Sequence, residues 1–131
     1  YIQYAHARCH SVMRMAREVF PDWEKTPAQG LDLLKDQNEL QLLKLLAGWP
    51  RQVEIAALAR EPHRLSYYLY EIAQQFHMLW NKGKENTYLR FIVAQNHELT
   101  RARLAMIQGV AHVIASGLNI FGVTPVEEMR E

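Results

Sequence analysis

The chain has one cysteine, Cys9, among its 131 residues. A single thiol excludes an internal disulfide and suits a reducing, cytoplasmic compartment. Long apolar runs are missing as well, so no segment is expected to span a bilayer and no membrane partner is implied. No charged n-region followed by an apolar h-region opens the chain, which argues against a secretory signal. There is no internal repeat and no low-complexity tract. Three catalytic signatures are absent: a phosphate-binding glycine loop, a G-x-S-x-G elbow and an H-E-x-x-H pair. A surplus of one charge sign is lacking too, since the formal net charge is only +1. Nucleic-acid binders usually show a basic surplus, so the total by itself speaks against a broad basic surface.

What is present is apolar periodicity. Hydrophobic residues make up 49% of the chain, enough for a packed core in one domain of ordinary size. Tyr1, Ala5, Val12, Ala16 and Val19 recur at helical spacing, and Phe20-Pro21 ends that run. The periodicity begins at Tyr1 with no capping residue ahead of it. The chain is therefore expected to start within, or at the edge of, a helix of a longer protein. Residues 21–35 read as a connection, with a possible helical turn at Thr26-Pro27-Ala28-Gln29 that Gly30 ends. Asp36 and Glu39 form a capping box ahead of a leucine-rich helix, which Gly48 should terminate. Pro50 then suits the first turn of a further helix through Ala59.

Pro62 to about Asn81 is the clearest helix, with Leu65, Leu69, Ile72, Ala73, Phe76, Leu79 and Trp80 at steps of three and four. Tyr88 to Val93 is a β-prone run read as an extended loop. Asn96 should cap a helix running to about Ser116, and two apolar stripes along it (Leu99, Met106, Val110, Val113; and Leu104, Ile107, Ala111, Ile114) make it central. Gly117 and Gly122 are left-handed cap candidates, and Thr124-Pro125-Val126-Glu127 reads as a capping box opening a terminal turn. The fold class expected is all-α, a helical bundle of about five main helices occupying residues 1–131 as one domain.

The charge is unevenly spread. Residues 18–39 hold Glu18, Asp22, Glu24, Asp32, Asp36 and Glu39 against Lys25 and Lys35, while the rest of the chain is mildly basic. That leaves room for one RNA-facing side, although mixed solvated faces give the same pattern. His6 and His10, four apart with Cys9 between them, could present two metal ligands. A structural zinc normally needs four, and no second cluster completes the set, so no metal is expected. A Cys–His nucleophile fails similarly, because Cys9 lies near the apolar stripe. The aromatic residues carry more. Tyr1 and Tyr4 share a helix face, and Phe76 and Trp80 lie one turn apart near a helix end. Trp80 is followed by Asn81, Lys82 and Lys84: an aromatic face, an amide and two cations, the groups that an unpaired base and its phosphate require.

Four stretches, in order, resemble arginyl-tRNA synthetases of the bacterial class I type. Tyr1-Ile-Gln-Tyr-Ala-His-Ala-Arg8 is similar to the helix by which that family leaves its catalytic domain. Glu61 to Ala73, continuing through Phe76-His-Met-Leu-Trp-Asn81, is similar to the central helix of its C-terminal, DALR-type anticodon-binding domain. Arg101-Ala-Arg-Leu-Ala105 and the segment Gly117 to Met129 resemble its last helix and tail. Residues 21–60 match least well.

The resemblance implies a domain that holds the anticodon stem and loop of arginine tRNA. The catalytic domain of the same chain, with HIGH-like and KMSKS-like signatures, would join arginine to that tRNA using ATP and Mg2+. No cofactor is implied in the domain itself. By position, Tyr1, Tyr4, Phe76, Trp80 and Met129 match family residues lining the anticodon pocket, and Asn81 adjoins them. Phe76 replaces a tyrosine found in some relatives, which keeps stacking but loses a hydroxyl. Arg8 and Arg103 are each either a phosphate contact or half of an internal ion pair. His63 and Arg64 belong to the helix start. Two other readings fit the residues: a helical protein-interaction module, which should expose a large apolar patch, and the anticodon domain of another class I synthetase, such as the cysteinyl or methionyl enzyme.

Overall fold

A computed structural model describes residues 1–27 and 30–129. Among them are four α-helices: α1 (Ile2–Val19), α2 (Gln37–Ala59), α3 (His63–Glu85) and α4 (His97–Ile120). Short 3-10 turns at Trp23–Lys25, Leu31–Leu33 and Thr87–Leu89 sit in the connections. The bundle is all-α, as the periodicity requires, but it has four main helices where five are predicted. Part of the turn expected at Thr26–Gln29 falls on residues 28 and 29, outside the described ones.

The missing boundary is the one at Gly48-Trp49-Pro50. α2 runs straight through it. Packing overrides the local signals here. Gly48 does not end the helix but clears space, since a Cβ there would stand 2.6 Å from the Tyr68 hydroxyl oxygen. That hydroxyl donates to the Leu45 carbonyl, in the turn just ahead of Pro50. Trp49 is buried and its ring lies 6.0 Å from that of Tyr68. Arg60, at φ 55, closes the helix in the left-handed region. At the other end the Asp36 carboxylate accepts from the Asn38 N–H and the Glu39 carboxylate accepts from the Asp36 N–H, so the capping box is formed. Leu42 and Leu45 are buried, while Leu40 stays on the surface.

Two further ends differ from expectation. α3 continues past Asn81 to Glu85, and α4 continues past Ser116 to Ile120. Gly117 lies inside α4 and permits close approach to α3: a Cβ there would fall 2.4 Å from a Leu69 methyl carbon. Gly122, at φ 74, supplies the left-handed turn after the helix. The tail beyond it forms no helical turn at Thr124–Glu127. Its backbone is engaged elsewhere: Gln3 accepts from the Val126 N–H at 2.9 Å and donates to the Thr124 carbonyl at 2.8 Å. The His6 ring nitrogen Nδ1 adds a contact of 2.6 Å to the Val126 carbonyl. The tail is thereby laid along α1.

α3 and α4 each pack against the other three helices. Both predicted stripes of α4 are buried, including Leu99, Leu104, Ile107, Val110 and Ile114. Each such side chain contributes on the order of 1.5–3 kcal/mol when fully removed from water. The described part of the connection before α2 is tied down as well. Trp23 is buried beneath the Arg101 guanidinium, 5.3 Å from the ring centroid, and Phe20 stacks on His97 at 4.2 Å. No described helix is long and apolar enough to cross a membrane.

Candidate nucleic-acid interface

α1 and α3 present facing rows of side chains. On α1 the row is Tyr1, Tyr4, Arg8 and Ser11, spaced by three and four; on α3 it is Tyr70, Ala73, His77 and Trp80. Because the two helices pack together, the rows meet. The Arg8 guanidinium carbon lies 4.4 Å from the centroid of Tyr4 and 4.4 Å from that of Trp80. One guanidinium nitrogen donates to the Tyr4 hydroxyl, and another is 3.4 Å from His77 Nδ1. Two cation–π contacts with a short-range donor hold the planar group in one orientation. Tyr1 extends the array outward, its ring 4.9 Å from His77 and 4.9 Å from Tyr70.

Beside this array is an open hollow of about 450 Å³ lined by Tyr4, Ala7, Arg8, Ser11, Arg14, Trp80, Glu128 and Met129. Met129 reaches it on the tail that Gln3 and His6 hold against α1. The hollow therefore draws on three distant parts of the chain: the start of α1, the last turns of α3, and the tail. Its volume is within the range of about 300–1,000 Å³ usual for small-ligand sites.

His77 sits under the array. Burial and then the Arg8 guanidinium push its pKa down to about 4. It is therefore neutral near pH 7, which leaves Nδ1 able to accept from Arg8. Sequence reasoning passed over His77, Tyr70 and Arg14. The signal was the pair of i, i+3, i+7 rows, which identifies one face of each helix but not that the faces meet.

The sequence-predicted residues separate into two groups. Tyr1, Tyr4, Arg8, Trp80 and Met129 come together. Asn81 is exposed one residue beyond Trp80 and does not line the hollow. Phe76 and Arg103 do not reach it. Phe76 is fully buried, stacked face to face on Phe91 with centroids 5.5 Å apart, and supports the array from beneath through His77. Arg103 is buried inside the bundle. It donates to the Glu39 carboxylate at 2.9 Å, to the Tyr88 carbonyl at 2.7 Å and to the Arg90 carbonyl at 2.8 Å. Of the two roles open to it, the internal ion pair is the one the fold uses. Lys82 is likewise committed, to Asp36 at 3.0 Å.

The other candidate clusters are structural. Burial pushes the Cys9 thiol far above its usual range, so it is no nucleophile. His6 and His10 pack ring to ring at 4.6 Å and dock the tail, with His10 3.9 Å from Glu127. Among the described residues no three His, Cys, Asp or Glu side chains converge as metal ligands.

A compact all-α bundle with an aromatic and cationic hollow at the end of two helices is the class of protein these features define. Sequence comparison makes it specific. The profile of a family described as the DALR anticodon binding domain matches residues 2–129, and the chain belongs to that family. The chain is also similar to proteins named arginine–tRNA ligase. It is 53% identical over 134 residues to the one from Azorhizobium caulinodans, and 99% of this chain and 23% of that protein are covered. The figures are 51% over 138 residues for Rhodopseudomonas palustris strain HaA2 and 53% over 135 for Rhodospirillum rubrum, with the same coverage. The chain thus spans about a quarter of the length of these relatives.

Proposed function

We propose that this domain grips the anticodon stem and loop of arginine tRNA, and that the hollow at Tyr4, Arg8, Trp80 and Met129 receives an unstacked anticodon base. The observation that carries the reading is Arg8, fixed between the Tyr4 and Trp80 rings at the edge of an open hollow. Family membership and the likeness to arginine–tRNA ligases support it.

The chemistry is that of single-strand recognition. An unpaired base presents a π-face to an aromatic wall, and stacking of this kind is worth about 1–3 kcal/mol per base. The oriented guanidinium offers planar donors to a base edge or phosphate, and the Met129 thioether can adapt to the remaining face. Exposed Tyr1, packed against His77, and exposed Asn81, next in sequence to Trp80, are assigned to neighbouring nucleotides. Phe76 and Arg103 act from inside, by holding the frame. Binding through a few oriented groups does not need a large positive net charge.

In this reading the chain is one domain of a longer cytoplasmic protein. Its catalytic domain joins arginine to the same tRNA with ATP and Mg2+. Titrating the chain into labelled arginine tRNA transcript at low salt, with transcripts of other specificities alongside, tests the proposal. The expected result is at least tenfold preference for the arginine transcript and an affinity that falls linearly on a log–log salt plot. Equal affinity for all transcripts, or none for any at low salt, contradicts it.

A further inference from the structure

Trp80 borders a second hollow. This one holds about 360 Å³ and lies between α1, the end of α3 and the segment after it. Met15, Leu79, Trp80, Phe91 and Ile92 give it apolar walls, and its charged lining residues are Lys84 and Arg90. Both are exposed, and among the described residues no carboxylate lines the hollow and neither cation makes an ion pair. An apolar slot with a purely cationic rim is complementary to a flat, weakly polar group carrying an anion. One nucleotide has that composition.

The hollow is also held in shape. Arg103 fixes the carbonyls of Tyr88 and Arg90 from the core side. Arg90 Nε donates to the Gly83 carbonyl at 3.1 Å, and a Cβ on Gly83 would approach the Arg90 Cα at 3.2 Å, so the segment lies tight on α3. Phe91 is clamped on Phe76. A wall fixed in this way loses little freedom when something binds against it.

We propose that this hollow is a second nucleotide site, taking an unstacked base of the same RNA strand next to the one at Met129, with its phosphate on Lys84 and Arg90. The inference rests on the RNA-binding reading above, and the two can fail separately. Trp80 would then be the shared wall between two adjacent bases. Met15, 42% exposed at the mouth, is the residue to change.

The test is an anisotropy titration of the 131-residue chain with arginine tRNA transcripts at low salt, using intact RNA and RNAs with one abasic nucleotide at each anticodon-loop position in turn. Met15→Trp fills the hollow, and Met129→Ala alters the first one. Met15→Trp should weaken binding of intact RNA about fivefold or more, on the scale of a lost stacking contact. One abasic position should weaken wild type yet add nothing to Met15→Trp, and the position similarly coupled to Met129→Ala should be a different one. Lys84→Ala, at an exposed site, should flatten the log–log salt slope by about 0.7–0.9, one phosphate's worth. If Met15→Trp binds as tightly as wild type or tighter while Met129→Ala binds less well, the second site is wrong and the RNA reading stands. If the wild-type chain binds no transcript, both fall.

Discussion

Arg8 and Arg103 carry the same side chain on two helices that pack together, yet they are held in opposite ways. Arg103 is enclosed, and its donors are spent on the Glu39 carboxylate and two main-chain carbonyls. Arg8 rests between two rings at the edge of a hollow, bonded only to a phenol and, at long range, to an imidazole nitrogen. A buried guanidinium left without internal partners costs stability through its lost hydration. One at the surface between aromatic faces is oriented without being used up. The difference separates a residue that builds the frame from one available to a ligand, and it follows from surroundings, not from residue type.

Breaking the frame should give the largest effect. Arg103→Met leaves the buried Glu39 carboxylate without its counter-ion, so chemical denaturation should show a loss of about 3–5 kcal/mol. Adding Glu39→Gln removes the stranded charge while keeping an oxygen for the Asp36 N–H, and should recover part of that loss. If Arg103→Met costs under 1 kcal/mol, the enclosed guanidinium is not what holds the frame.

His77 sharpens the other side of the comparison. Its folded pKa, about 4, lies below its unfolded value, so the unfolded chain takes up the proton first. Stability should therefore fall as pH drops from about 6.5 toward 4 and be flat above that window. In His77→Gln this part of the pH dependence should disappear. The smallest effect belongs to Arg8→Lys. An ammonium cannot lie flat between Tyr4 and Trp80, so RNA affinity should drop by a few-fold, about the 0.5–1 kcal/mol of a cation–π contact, with thermal stability nearly unchanged.

Much of this was legible in the sequence, and the failures have physical causes. The stripes of α4, the Asp36–Glu39 box and the Asn96 cap depend on neighbours within a few residues, and they appear where expected. The break at Gly48-Trp49-Pro50 was misread because the partner that uses Gly48 is Tyr68, 20 positions away in the sequence. Gly117 reads as a cap for the same reason, since Leu69 is the residue that needs its missing Cβ. For the candidate site, spacing placed Tyr1 with Tyr4 and put Trp80 near a helix end. It could not show that Phe76, one turn from Trp80, faces inward, that Lys82 is taken by Asp36, or that the tail returns Met129 to α1. Those are questions of which helix faces which.

The central claim is that the hollow walled by Trp80 reads an unstacked base, and one titration tests it most directly. Trp80→Ala and the wild-type chain are compared for affinity to arginine tRNA transcript at low salt, each normalised to its folded fraction by circular dichroism. A loss of about tenfold or more in the folded variant, in line with about 1–3 kcal/mol of stacking, is the expected result. Unchanged affinity of the folded fraction would contradict it.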